Sequence, residues 1–306
     1  MFSLLNFNSA KKLFFQISFR KLSTNFTPVR LAYASYESTA PPSEQDPAAL
    51  VVNHGIFGSK SNWNSLCKVY HEKTRRKIIA VDARNHGDSP HAQEHTYVHL
   101  ALDLEELVKQ LKLTKVAVLG HSMGGRAAMY FALKYPNLVD KLIVVDISPV
   151  VRYADMKSIA RLFNVLQSLE LPKNVTMSVA RNQTDQQLSR YVMDKGLRNF
   201  LLTNLVQTLD GSSSYHWRIN ISALKANFDD ICGFPPTNSL NFQGPVLFMS
   251  GANSDLIQNS DHERILKLFP KAEFVSIEGT GHWLHSEKPK EFLDHTVKFL
   301  NKNDKL

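Results

Sequence analysis

Val116-Ala117-Val118-Leu119-Gly120-His121-Ser122-Met123-Gly124-Gly125-Arg126-Ala127-Ala128-Met129-Tyr130-Phe131-Ala132-Leu133 decides the fold of this chain. The apolar start predicts a strand and the alanine-rich end a helix. Gly120 to Gly124 leaves room for one sharp turn with Ser122 at its apex. A residue held in such a turn has a strained backbone, and glycine neighbours spare the strand and the helix a Cβ clash. The turn pushes the serine hydroxyl clear of its own main chain. Behind it, the helix start offers N–H groups without intrahelical partners, where negative charge can collect.

Working outward, short apolar runs alternate with amphipathic ones. Strands are predicted at Val29 to Tyr36, Ala49 to Asn53, Lys77 to Val81, 115–119, Lys141 to Ile147, Pro245 to Ser250 and Glu273 to Ile277. Helices are predicted at Asn62 to Thr74, Tyr97 to Leu111, 125–135, His262 to Phe269 and Pro289 to Asn301. In the second of these, Leu100, Leu104, Leu107 and Leu111 recur at helical spacing. Continuous apolar strands between amphipathic helices indicate an α/β fold, a mostly parallel sheet with helices on both faces. The alternation breaks between Pro149 and Gln243, which reads as helices and loops. Residues 26–149 and 244–306 are therefore expected to form the core, and 150–243 a helical cap inserted in it.

The net charge of +8 invites a nucleic-acid reading until it is located. Residues 1–36 hold Lys11, Lys12, Arg20, Lys21 and Arg30 and no acid, leaving an unremarkable +3 for the rest. Lys11 to Leu22 can form a helix with one basic and one apolar side. An acid-free, basic amphipathic start resembles a mitochondrial targeting peptide, assigned to residues 1–25 with a matrix destination. The apolar stretches there are too short and too broken for a secretory signal, and no run in the chain spans a bilayer. Cys67 and Cys232, far apart in sequence, fit a reducing compartment better than a disulfide framework.

A serine hydroxyl needs a neighbouring base to become a nucleophile. His282, in Gly279-Thr280-Gly281-His282-Trp283, follows the last predicted strand, at the carboxyl ends of the strands where functional loops gather. The base in turn needs a carboxylate, and two positions compete. Asp146 interrupts the β-branched run Ile143-Val144-Val145, a costly place for an unpartnered charge. Asp255 lies in the polar turn Asn253-Ser254-Asp255, after the strand before last. Burial favours Asp146. Two N–H donors are expected for a tetrahedral oxyanion, that of Met123 and one from His54-Gly55-Ile56-Phe57-Gly58, assigned to Ile56. Phe57 either lines the acyl pocket or fills the core. The motifs call for no metal or organic cofactor.

His54-Gly55, Asp82-Ala83-Arg84-Asn85-His86-Gly87-Asp88-Ser89, the turn Gly120 to Gly124 and Gly281-His282 together resemble the α/β-hydrolase superfamily, from about Val29 to Leu300. Asn53 to Lys60, Val81 to His91 and Asp146 to Val150 are similar to a narrower group. This is the mitochondrial abhydrolase-domain subgroup of the number-eleven type, with its bacterial short-acyl esterase relatives. The resemblance implies an acyl-enzyme on Ser122, the acid at Asp146, and hydrolysis of lipophilic esters, with diacylglycerol cleaved at sn-1. Some animal members are assigned an acid in the cap where this chain has Ser222. Acyl transfer to an alcohol is an alternative use of the same intermediate. Another is non-catalytic protection of lipoylated dehydrogenases, which implies association with a mitochondrial 2-oxoacid dehydrogenase complex.

Other residues receive plainer readings. His91, His95 and His99 recur every four residues, but Pro90 and the polar run around them indicate a loop, not a metal-binding helix face. His121 is expected beneath the serine turn and His285 on the surface. Trp217 and Trp283 are read as core, and Arg126 as cover for the first turn of its helix.

Overall fold

The computed structural model describes residues 26–39, 46–151 and 157–302; the expected targeting segment 1–25 lies outside the described residues. Seven strands form one sheet: β1 (Tyr33–Tyr36), β2 (Ala49–Asn53), β3 (Ile78–Val81), β4 (Val116–His121), β5 (Val139–Val145), β8 (Val246–Gly251) and β9 (Ala272–Ile277). Their spatial order is β1-β3-β2-β4-β5-β8-β9. β1 runs antiparallel to β3, and every other pairing is parallel. The β/α alternation of the sequence thus becomes a mostly parallel sheet with β4 near its centre.

The strands read as continuous apolar runs because both faces are covered. Val51, Val118, Val144 and Phe248 face a cluster built with α2 (Tyr97–Gln110) and α3 (Met123–Lys134). Leu50, Leu119, Ile143 and Leu247 face the opposite cluster. There they meet α1 (Asn64–Thr74) and the final helices α10 (Leu284–Glu287) and α11 (Pro289–Asn301).

Among the strand boundaries that differ from expectation, two have clear local reasons. β1 begins at Tyr33, not Val29, because earlier N–H groups bond to side chains: Val29 to Asp103 Oδ1 at 2.8 Å and Ala32 to Ser89 Oγ at 2.8 Å. β5 stops at Val145, two residues early, because Asp146 adopts a left-handed backbone with φ 50°. A β-ladder cannot continue through that conformation.

Between β5 and β8 lie α4 (Lys157–Ser168), α5 (Met177–Leu188), α6 (Lys195–Leu202), α7 (Ile221–Ala226) and α8 (Phe228–Cys232). This segment also holds an antiparallel hairpin, β6 (Leu205–Gln207) with β7 (Tyr215–Trp217), where the sequence reading had only helices and loops. α9 (His262–Leu268) then leads from β8 to β9. Among the described residues no helix is long and apolar enough to cross a membrane.

Arg126 does more than cover its own helix turn. It is buried, and its guanidinium donates to the carbonyls of Ser148 at 3.0 Å and Cys232 at 2.6 Å, with longer bonds to Val150, Ile231 and Gly233. One side chain of α3 therefore ties together the two ends of the inserted segment.

Candidate active site

Ser122 stands between β4 and α3 with φ 53° and ψ −119°. Its N–H donates to Val145 O at 2.9 Å, and its carbonyl accepts from Gly125 and Arg126, so the turn is bonded on both sides. The flanking glycines are sterically required. A Cβ on Gly120 would lie 2.1 Å from Gly124 O, and one on Gly124 would lie 2.5 Å from His54 O. Nothing larger fits between strand, turn and the loop after β2.

The structure brings Asp146 and His282 together from loops 136 residues apart. His282 Nδ1 and Asp146 Oδ2 are 2.7 Å apart, with Asp146 fully buried and the histidine side chain 27% exposed. The left-handed residue that ends β5 is therefore the one that turns its carboxylate toward the last loop. Two further donors hold that carboxylate: Ser254 Oγ at 2.6 Å to Oδ2, and the Gly251 N–H at 3.2 Å to Oδ1. An ionised carboxylate that accepts several bonds tolerates burial. Asp255, next to Ser254, is exposed and lines the same cavity. Ser222 lines a separate crevice with His91, Leu166 and Trp217.

Ser122, His282, Gly55 and Ile56 line one cavity of about 630 Å³. Its apolar walls include Leu162 of α4, Leu197 and Phe200 of α6, Phe57 and Trp283. Trp283 is thus a wall of the site and not core, its ring near those of Phe200 (6.4 Å) and His282 (5.4 Å). Trp217 packs within the inserted segment, where its Nε1 donates to Leu166 O at 3.0 Å. Phe57 serves both expected roles, lining the cavity while its ring meets Phe163 of α4 at 5.0 Å.

The loop after β2 is fixed peptide by peptide. Gly55 O accepts from His54 Nδ1 at 2.7 Å and from the Gly58 N–H at 3.0 Å. The peptide is planar and trans, so anchoring Gly55 O aims the Ile56 N–H to the opposite side. Gly55 itself sits against Ser122, since a Cβ there would lie 3.3 Å from Ser122 Cβ. Met123 supplies the second expected donor position. As the first residue of α3 it has an N–H with no intrahelical acceptor.

Buried imidazoles support this arrangement. His54 Nε2 accepts from the Ala83 N–H at 3.0 Å, which leaves Nδ1 as its donor. His86 Nε2 accepts from the Phe57 N–H at 3.3 Å, while its Nδ1 donates to Arg84 O at 3.0 Å. Burial lowers the pKa of both and keeps them neutral, as the acceptor roles require. His121 lies under the turn as expected, its Nε2 2.9 Å from His282 O. His285 is buried, not on the surface. It stacks on Trp63 with ring centroids 4.5 Å apart, and burial pushes its pKa down to about 3.

His91, His95 and His99 do not converge. His91 contacts Arg218 O, His95 packs against His86 and the Met123 sulfur, and His99 contacts Thr96 Oγ1. Among the described residues, no three His, Cys, Asp or Glu side chains are placed to hold a metal ion.

A family model described as alpha/beta hydrolase fold matches residues 48–289. Over 252 residues the chain is 43% identical to the sn-1-specific diacylglycerol lipase ABHD11 of Mus musculus, covering 82% of this chain and 80% of that one. It is 37% identical over 276 residues to the abhydrolase domain-containing protein C22H12.03 of Schizosaccharomyces pombe, covering 90% and 98% respectively. Among solved structures it resembles a marine microorganism esterase, with TM-score 0.79 and 34% identity over 89% of this chain and 99% of that one.

Proposed function

We propose that this chain, which belongs to the alpha/beta hydrolase family and hydrolyses carboxylic esters, cleaves diacylglycerol at sn-1 through an acyl-enzyme on Ser122. The observation that carries the mechanism is the pairing of the buried Asp146 with His282, which lines the same cavity as the serine of the strained turn. His282 Nε2 takes the proton of Ser122 as its Oγ attacks the ester carbonyl. Asp146 holds the imidazole by Nδ1 and stabilises the imidazolium. The N–H groups of Ile56 and Met123 receive the oxyanion, each worth about 10²–10³ in rate. His282 then protonates the departing alcohol, and water releases the acid by the same route.

The sn-1 preference rests on likeness to the mouse lipase named for it, and the apolar walls of the cavity suit an acyl chain. The acid-free basic start supports import into the mitochondrial matrix as part of the same proposal. A diacylglycerol with different acyl groups at sn-1 and sn-2 tests the regiochemistry by product analysis. Release of the sn-1 acid with a 2-acyl monoacylglycerol is expected, and release of the sn-2 acid would refute it. Ester formation with added ethanol or monoacylglycerol in place of hydrolysis would identify an acyltransferase. If Ser122→Ala abolishes hydrolysis yet restores cells lacking the protein, the protective role toward lipoylated dehydrogenases takes precedence.

A further inference from the structure

We infer that Asn204, supplied by the inserted segment, is a positioning residue for the oxyanion loop and couples occupation of the acyl cavity to the geometry of the Ile56 N–H. The inference rests on the proposed serine mechanism and adds to it a residue to which neither sequence nor mechanism gives a role. Asn204 is buried in the turn between α6 and β6. Its Nδ2 donates to Phe57 O at 2.8 Å, and more weakly to Leu201 O at 3.3 Å. Its own backbone is held at both groups, N–H to Leu201 O at 3.0 Å and carbonyl to the Arg218 N–H at 2.8 Å. The amide therefore sits on a rigid base and reaches across 147 residues of sequence to the loop.

The contact falls where that loop needs holding. Phe57 has φ 63°, a left-handed conformation that a bulky residue keeps only when its surroundings enforce it. His86 receives its N–H, Asn204 binds its carbonyl, and Phe163 of α4 meets its ring. The Phe57–Gly58 peptide is then fixed at both ends, because the Gly58 N–H bonds Gly55 O. Gly55 O belongs to the same rigid peptide as the Ile56 N–H. Releasing Phe57 O lets this chain of peptides rotate, and the donor leaves the position where the oxyanion forms.

The coupling to substrate follows from what lies beside Asn204. Leu197 and Phe200 of α6 line the cavity one to two turns before it, and Leu162 of α4 lines the cavity next to Phe163. An acyl chain seated on those side chains presses on the two elements that grip Phe57. A filled pocket and an aligned oxyanion donor are thereby mutually stabilising, which is the meaning of coupling between sites.

The test compares parent, Asn204→Ala and Asn204→Leu on p-nitrophenyl acetate, butyrate and octanoate, with thermal melts confirming folding. Asn204→Leu keeps about the same volume, removes the donor and adds no charge, so it reports even if the alanine variant fails to fold. The expected result is a fall of roughly 10- to 100-fold in kcat with KM within about twofold of the parent. The loss should be largest for octanoate. A trifluoromethyl ketone, which forms an oxyanion adduct on the serine, should weaken by the same factor. Unchanged kcat, a change confined to KM, or undiminished trifluoromethyl ketone affinity would overturn the inference. Hydrolysis by a Ser122→Ala control equal to the parent would instead overturn the underlying mechanism.

Discussion

Asp146 owes its proposed role to its backbone as much as to its carboxylate. The left-handed φ ends β5 and turns the side chain toward His282, where Ser254 and the Gly251 N–H complete its shell. Asp146→Asn should lower kcat about 10³–10⁴-fold on a soluble ester, because the amide no longer holds the productive tautomer. Asp255→Asn should cost far less. Ser254→Ala removes one bond to a charged acceptor and should lower kcat roughly tenfold. Steady-state kinetics of the three variants ranks them. Asp146 was legible in the sequence because a charge interrupted an apolar run. Ser254 was not, because a serine in a polar turn looks the same whether it faces solvent or a buried carboxylate. His285 misled for a related reason: a histidine three residues after His282 reads as exposed until Trp63 is found stacked on it.

At the scale of elements, steric limits and main-chain bonds explain what the pattern could and could not show. Gly124→Ala forces a Cβ to within 2.5 Å of His54 O, so the serine turn must open or the loop after β2 must move. It should lose about 1–3 kcal/mol of stability, read as a lower melting temperature, and activity should fall more than stability does. Arg126→Met strips the carbonyls of Ser148 and Cys232 of a charged donor. It should cost about 2–3 kcal/mol and speed proteolysis within the inserted segment first. The strands of the sheet were readable as continuous apolar runs, and its helices because their periodicity repeats over many residues. The β6–β7 hairpin was missed because its strands are three residues each, too short for alternation to register. A turn signal was present at Asp210-Gly211, where the glycine has φ 79°.

For the molecule as a whole, the buried imidazoles set how stability responds to acid. Burial lowers the pKa of His54, His86 and His121, and pushes those of His95 and His285 to about 3. In the unfolded chain each titrates near the ordinary value of about 6.5. The unfolded state therefore binds protons first, and the stability these groups allow is complete above about pH 6.5 and is lost as pH falls toward 3. Each imidazole contributes about 1 kcal/mol per pH unit over its window. Thermal melts from pH 8 to 4.5 should show a steep fall below 6.5. His285→Phe, which keeps the stack on Trp63, should make that fall shallower. Equal slopes for parent and variant would mean that His285 does not titrate on unfolding.

The central claim is that Ser122 is the nucleophile. Intact-mass analysis after treatment with a fluorophosphonate, on parent and on Ser122→Ala shown by thermal melt to be folded, tests it most directly. The account predicts one adduct on the parent, mapping to the peptide that contains Ser122. Ser122→Ala should take up none and should lose ester hydrolysis. An adduct on Ser122→Ala equal to that of the parent, with hydrolysis retained, would contradict it.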